Sequence, residues 1–203
     1  MNKNTFNEKV LAPLTEGGRL GEETNDVGTT LIGHTPSVAP KAYINIIYAP
    51  LDEGSFSEFE ERYPRQLPPQ YKQCLKYANG LSIFFDALRI SGYIPLKRKG
   101  SHPHNYPDNF MMYNHSARMK GMKEDDAIVG WYKADGSHVL LDKKGRAKRI
   151  DTLGDGTLIQ EWPDFDTWLT SEVAFLGEEY KAGRVEVFIP SLAKSVSSNE
   201  IVQ

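Results

Sequence analysis

A chain of 203 residues with 39% hydrophobic and 25% charged side chains carries enough apolar material for one hydrophobic core, which excludes an intrinsically disordered protein. A formal net charge of −3 is too small to select a partner by field alone and speaks against a phosphate-binding surface covering the whole molecule. One cysteine excludes an internal disulfide, no stretch reaches the ~18 apolar residues of a membrane span, and the first residues lack a signal peptide's apolar segment, so a cytoplasmic protein is expected.

Residues 1–41 are expected to form a flexible arm, because the stretch from Thr15 to Lys41 is rich in Gly, Thr, Glu and Pro and sustains no helical or strand period. Its glycines match neither the dinucleotide nor the P-loop pattern. A single domain is expected over residues 42–189, opening with the β-branched and aromatic run Tyr43 to Tyr48, which predicts a strand. Ser55 and Glu58 have the spacing of a capping box and predict a short helix ending at Pro64. Pro68 and Pro69 then open a second helix that leaves at Asn79 and Gly80 and buries Tyr71, Cys74, Leu75 and Ala78 along one stripe. Strands are predicted from Leu81 to Phe85 and from Ser91 to Leu96, whereas Lys97 to Met122 shows no period and is left unassigned.

The pattern sharpens in Ala127 to Tyr132, the Asp135-Gly136 turn and His138 to Asp142, which together predict an antiparallel hairpin, extended by a further turn into Ala147 to Ile150. A helix capped by Asp164 carries Phe165, Trp168, Leu169, Val173, Leu176 and Tyr180 at helical spacing and is expected to lie on the sheet. Residues 190–203 are small and polar and read as a tail. The fold class expected is α+β, a single domain with an antiparallel or mixed sheet packed against helices.

Candidate chemistry is sparse. His102, His104, Asp108 and His115 could ligate a divalent metal as a hydrolase centre, but a polar loop has the same appearance and no metal is expected. Asn114-His115 is a weaker nuclease-like pair. Asp125-Asp126 and the set Asp151, Asp155 and Glu161 could do acid–base work, although solvated acidic turns look alike, and no G-x-S-x-G elbow surrounds a serine. The basic run Lys143, Lys144, Arg146, Lys148 and Arg149 reads as an edge-protecting turn, since consecutive Lys148 and Arg149 point to opposite faces. No cofactor, nucleic-acid partner or membrane partner is expected.

The order of features resembles a known family. Leu67-Pro68 opening a helix, Asn79-Gly80, the segment AIVGWYKADGSHVLLDKKGRAKRID and the aromatic DFDTWL helix are similar to the SMI1/KNR4 superfamily, also called SUKH, over about residues 55 to 180. The matching positions, among them Leu67, Pro68, Tyr71, Gly136, Asp142, Gly145, Phe165 and Trp168, locate a fold and not a site. The resemblance implies no enzymatic activity. It implies an immunity protein that neutralises the cognate toxin of a polymorphic or contact-dependent system, a nuclease or other nucleic-acid-modifying toxin, by direct binding. Fungal members imply the alternative of a regulatory scaffold or adaptor. Acidic Asp125, Asp126, Asp155 and Glu161 are expected to meet a basic toxin surface, with Trp131 and Tyr132 as aromatic anchors.

Overall fold

The hydrophobic alternation of the central segments is satisfied by a nine-stranded sheet whose strands pair in chain order, each antiparallel to the next. The computed structural model describes residues 1–185, apart from 17–19, 64, 99, 101, 117, 120, 121 and 153–155. Strands β1 (Glu22–Thr24), β2 (Thr30–His34), β3 (Tyr43–Ile47), β4 (Leu81–Ile83), β5 (Leu88–Ile90), β6 (Ala127–Tyr132), β7 (His138–Leu141), β8 (Ala147–Ile150) and β9 (Leu158–Trp162) form the meander. The sheet is antiparallel throughout, and the one parallel pairing among the described residues is an isolated bridge between Gly92 and Asn109 outside the strands. Helices α1 (Lys3–Phe6), α2 (Ala12–Thr15), α3 (Glu53–Arg62), α4 (Pro69–Leu75) and α5 (Phe165–Lys181) complete an α+β domain. No helix among the described residues is long and apolar enough to cross a membrane.

One hydrophobic cluster joins the helices to one sheet face. Leu81, Ile83, Leu88 and Ile90 alternate onto it from β4 and β5, and Phe59, Tyr71, Phe165 and Trp168 reach it from the helices. The expected α5 forms as read, with Asp164 accepting from the Thr167 N–H at 2.7 Å, and Trp168 is fully buried. Cys74 is buried too, and burial pushes its thiol up to about 12, so it is packing material and not a nucleophile.

Several expectations are corrected. The segment 1–41 is not an arm outside the core. Asn2 caps α1 through the Thr5 N–H, a π-helical turn at Asn7–Leu11 leads into α2, and Phe6, Val10 and Leu14 are 0% exposed. The widened turn precedes Pro13, whose ring and missing N–H forbid an uninterrupted α-helix there. Burying three such side chains stabilises by about 5 to 9 kcal/mol as an upper estimate. Leu31 and Ile32 of β2, islands too short to give a period, are buried once β2 pairs between β1 and β3, Leu31 in a second cluster with Tyr43, Ile46 and Tyr48.

The cap of α3 is Asp52, which accepts from the Ser55 N–H at 2.7 Å, and Glu58 turns away to accept from the Tyr93 hydroxyl and, at 2.9 Å, the Leu96 N–H. Helix α4 stops at Leu75, before the expected exit, although Gly80 does hold a positive φ of 100°. The strand expected at Ser91 to Leu96 lies earlier, at Leu88–Ile90, and β9 was not foreseen. The tail expected at 190–203 lies outside the described residues.

Candidate interaction surface

Direct cross-strand neighbours share a sheet face. The register sets Ser82 of β4 opposite Arg89, Arg89 opposite Trp131, Trp131 opposite His138, His138 opposite Ile150, and Ile150 opposite Leu158. These six side chains therefore form one row across the sheet on the face turned away from the helices. Trp131, Arg89 and His138 are half-buried there, and Leu158 is exposed.

The row centres on an ion cluster. Arg89 donates to Asp86 at 2.7 Å and to Asp108 at 2.8 Å, and its guanidinium lies 5.6 Å from the Trp131 ring centre. Trp131 Nε1 donates to the second Asp108 oxygen at 2.6 Å, and the Ser82 hydroxyl donates to Asp86. Burial opposes the charge on Asp86, but the Arg89 hydrogen bond and charge outweigh it and hold the carboxyl below its ordinary value. Asp86 reaches this position through a left-handed turn in which Phe84, Phe85 and Asp86 have φ of 45°, 57° and 68°. Such a run is strained for residues with a Cβ and persists because its surroundings over-determine it. The Phe84 N–H donates to Asn45 Oδ1 at 2.7 Å, the Phe85 N–H to the Ile44 carbonyl at 2.8 Å, and the Phe84 ring stacks on Tyr180.

The histidine centre does not assemble. His102 and His104 sit with ring centres 5.5 Å apart, but His104 Nε2 is 2.8 Å from the Lys41 carbonyl oxygen, Asp108 belongs to the Arg89–Trp131 cluster, and His115 is exposed. Among the described residues no three His, Cys, Asp or Glu side chains form a group able to hold a metal ion. Asn114, half of the nuclease-like pair, is buried and bonds the Ile128 backbone in both directions at 2.7 Å.

The expected contact residues are dispersed. Asp125 is exposed beside a cleft of about 420 Å³ between the entry to α4, at Leu67 to Gln70, and the β7–β8 turn, which supplies Lys143 and Lys144. Asp126 is buried and accepts from the Lys123 N–H at 2.9 Å, closing its own turn. Tyr132 is 4% exposed and faces inward, accepting from Trp168 Nε1 at 3.0 Å beneath the Arg149 guanidinium at 3.8 Å. In this conformation Asp126 and Tyr132 are packed inward, unlike exposed Asp125 and Glu161. Glu161 lies on β9, paired with Arg146 at 2.9 Å. Asp155 lies outside the described residues. Trp131 alone among the described ones joins the row, and Asp86 and Arg89 were missed, although Arg89 between apolar Leu88 and Ile90 carried the strand's alternation.

Arg146, Lys148 and Arg149 of the basic run are held in ion pairs, and Lys143 and Lys144 are exposed on the turn. In the β7–β8 turn Asp142 accepts from the Lys144 and Arg146 N–H groups at 2.9 and 3.1 Å and binds the Arg146 and Lys148 side chains at 2.7 and 3.0 Å. Burial would raise its carboxyl, but the Lys148 and Arg146 hydrogen bonds outweigh that and lower it to about 2. Arg149 pairs with Asp135 at 2.7 Å on the opposite face from Lys148.

Comparison with known families finds that the SMI1 / KNR4 family (SUKH-1) matches residues 50–171, more than half of the chain. No curated protein matches it.

Proposed function

This chain belongs to the SMI1/KNR4 family (SUKH-1), and from that premise we propose that it is an immunity protein, neutralising a cognate bacterial toxin by binding it and catalysing no reaction of its own. The family match over residues 50–171 carries this reading, because that family has an immunity-protein-like role in general. The proposed toxin is a nuclease or another enzyme acting on nucleic acid, met in the cytoplasm.

Half-buried Trp131, held by Asp108 and flanked by Arg89, supports the reading chemically. Tryptophan and arginine in partly desolvated settings carry a large share of binding energy at protein interfaces. Exposed Asp125, which carries no ion pair among the described residues, is an acidic group that would steer a basic partner.

The test is survival of a sensitive host expressing the adjacent reading frame with and without this chain, followed by co-purification of the two products. Rescue with a stable complex is expected, and Trp131→Ala together with Asp125→Lys should weaken that complex by about tenfold or more while the variant keeps the far-ultraviolet circular dichroism of the folded chain. A neighbour that is harmless, or that kills equally in the presence of this chain, removes the immunity reading toward it and puts the scaffold reading first.

A further inference from the structure

The two edges of the sheet are built differently. At one end β1 has only three residues, Glu22, Glu23 and Thr24, all exposed, and Glu23 accepts a hydrogen bond from the Tyr43 hydroxyl. A short, acidic edge discourages pairing with another strand. At the other end β9 is five residues long and, among the described residues, has one strand neighbour, β8. Consecutive Leu158 and Ile159 of β9 are 49% and 48% exposed.

The charges around β9 are paired with one another. Its carboxylate, Glu161, pairs with Arg146 at 2.9 Å, and on β8 Lys148 pairs with Asp142 and Arg149 with Asp135. Among the described residues β9 therefore lacks the free lysine that guards many edge strands. A register shift between Arg149 and Ile150 sets Leu158 opposite Ile150 and leaves Ile159 out of the pairing. Leu158 and Glu161 consequently fall on the same face.

We infer that the β9 edge docks an extended strand of a partner protein, an uncharged strand with apolar residues opposite Leu158 and Ile159. The inference rests on the protein-binding reading above. The main-chain donors and acceptors along an edge strand are complementary to another strand, and the side chains at that edge choose which strand fits. A second copy of the chain fits less well, because the two-fold antiparallel register that overlaps β9 most fully with its faces together sets Leu158 across from Glu161 of the copy twice, apolar against carboxylate.

The test uses the full chain with the product of the adjacent reading frame. Wild type is compared with the double variant Leu158→Lys, Ile159→Lys and with Phe175→Lys, a change at an exposed position on α5. Wild type and Phe175→Lys are expected to retain the partner, while the double variant loses about tenfold or more in affinity and keeps its far-ultraviolet circular dichroism. Should the double variant misfold, amide hydrogen exchange on wild type decides: exchange along 158–162 slows on complex formation, and unchanged exchange there overturns the proposal. A double variant that binds as tightly as wild type overturns the docking edge and leaves the protein-binding reading intact. No binding by any of the three proteins overturns both. Wild type that sediments alone at twice 22.9 kDa, with the double variant at single mass, gives the edge to a second copy and overturns the foreign strand.

Discussion

Three buried asparagines act as substitutes for peptide groups. Asn79 donates to the Tyr93 carbonyl and accepts from the Tyr93 N–H, both at 2.8 Å. Asn114 does the same with Ile128, and Asn45 joins the Leu14 carbonyl to the Phe84 N–H. Each carboxamide thus satisfies backbone groups on segments that cannot pair as strands. Asn79→Ala leaves two backbone groups buried without partners, each worth about 1 to 3 kcal/mol, so it should cost about 2 to 5 kcal/mol in urea unfolding. A cost under about 1 kcal/mol would show that water takes over both bonds. None of these roles was legible in the sequence. Asn79-Gly80 has the composition of a helix exit, and only the approach of Tyr93, distant along the chain, turns the side chain into a structural tie.

At the scale of elements, local chemistry held where an element closes on itself. The β6–β7 and β7–β8 turns place Gly136 and Gly145 at φ of 68° and 80°, as their D-G and K-G sequences demand. The second turn also binds Asp142, and this linkage has a sign. The folded carboxyl lies at about 2, below the ordinary 3.8, so its stabilisation is complete above the ordinary value and is lost as pH falls from there through about 2. Stability of the wild type should therefore decline across that window more steeply than that of Asp142→Asn, and the two curves should converge at its acid end in denaturant titrations at stepped pH. Parallel curves would mean that the turn holds no such carboxylate. Helix α3 is the opposite case. Asp52 and Ser55 are both competent caps by spacing, and the choice fell to Asp52 because Glu58, the partner Ser55 needs, bonds Tyr93 and Leu96.

For the whole molecule, the amino-terminal segment matters most. Phe6, Val10 and Leu14 belong to the main core, and their burial is comparable with the net stability of ordinary domains, about 5 to 15 kcal/mol. Removal of residues 1–15 should lower the melting temperature by about 10 °C or more, or abolish folding, as read by circular dichroism. An unchanged melting temperature would restore the segment to the flexible arm expected from composition. Its i, i+4, i+8 stripe was available in the sequence, but so short a helical stretch cannot hold its shape alone, and the surface that buries it exists only after α5 docks. By itself the sequence determined the α+β class, the hairpin from Ala127 to Leu141, the buried thiol and the α5 helix with its cap, because each follows from period, turn chemistry or adjacent residues. Only the tertiary structure decided that β9 is an edge among the described residues, that Arg89 gathers Asp86, Asp108 and Trp131, and that His102, His104 and His115 form no common site. Those facts depend on which distant strands become neighbours, and the register that sets them is a property of the assembled sheet, not of any local segment.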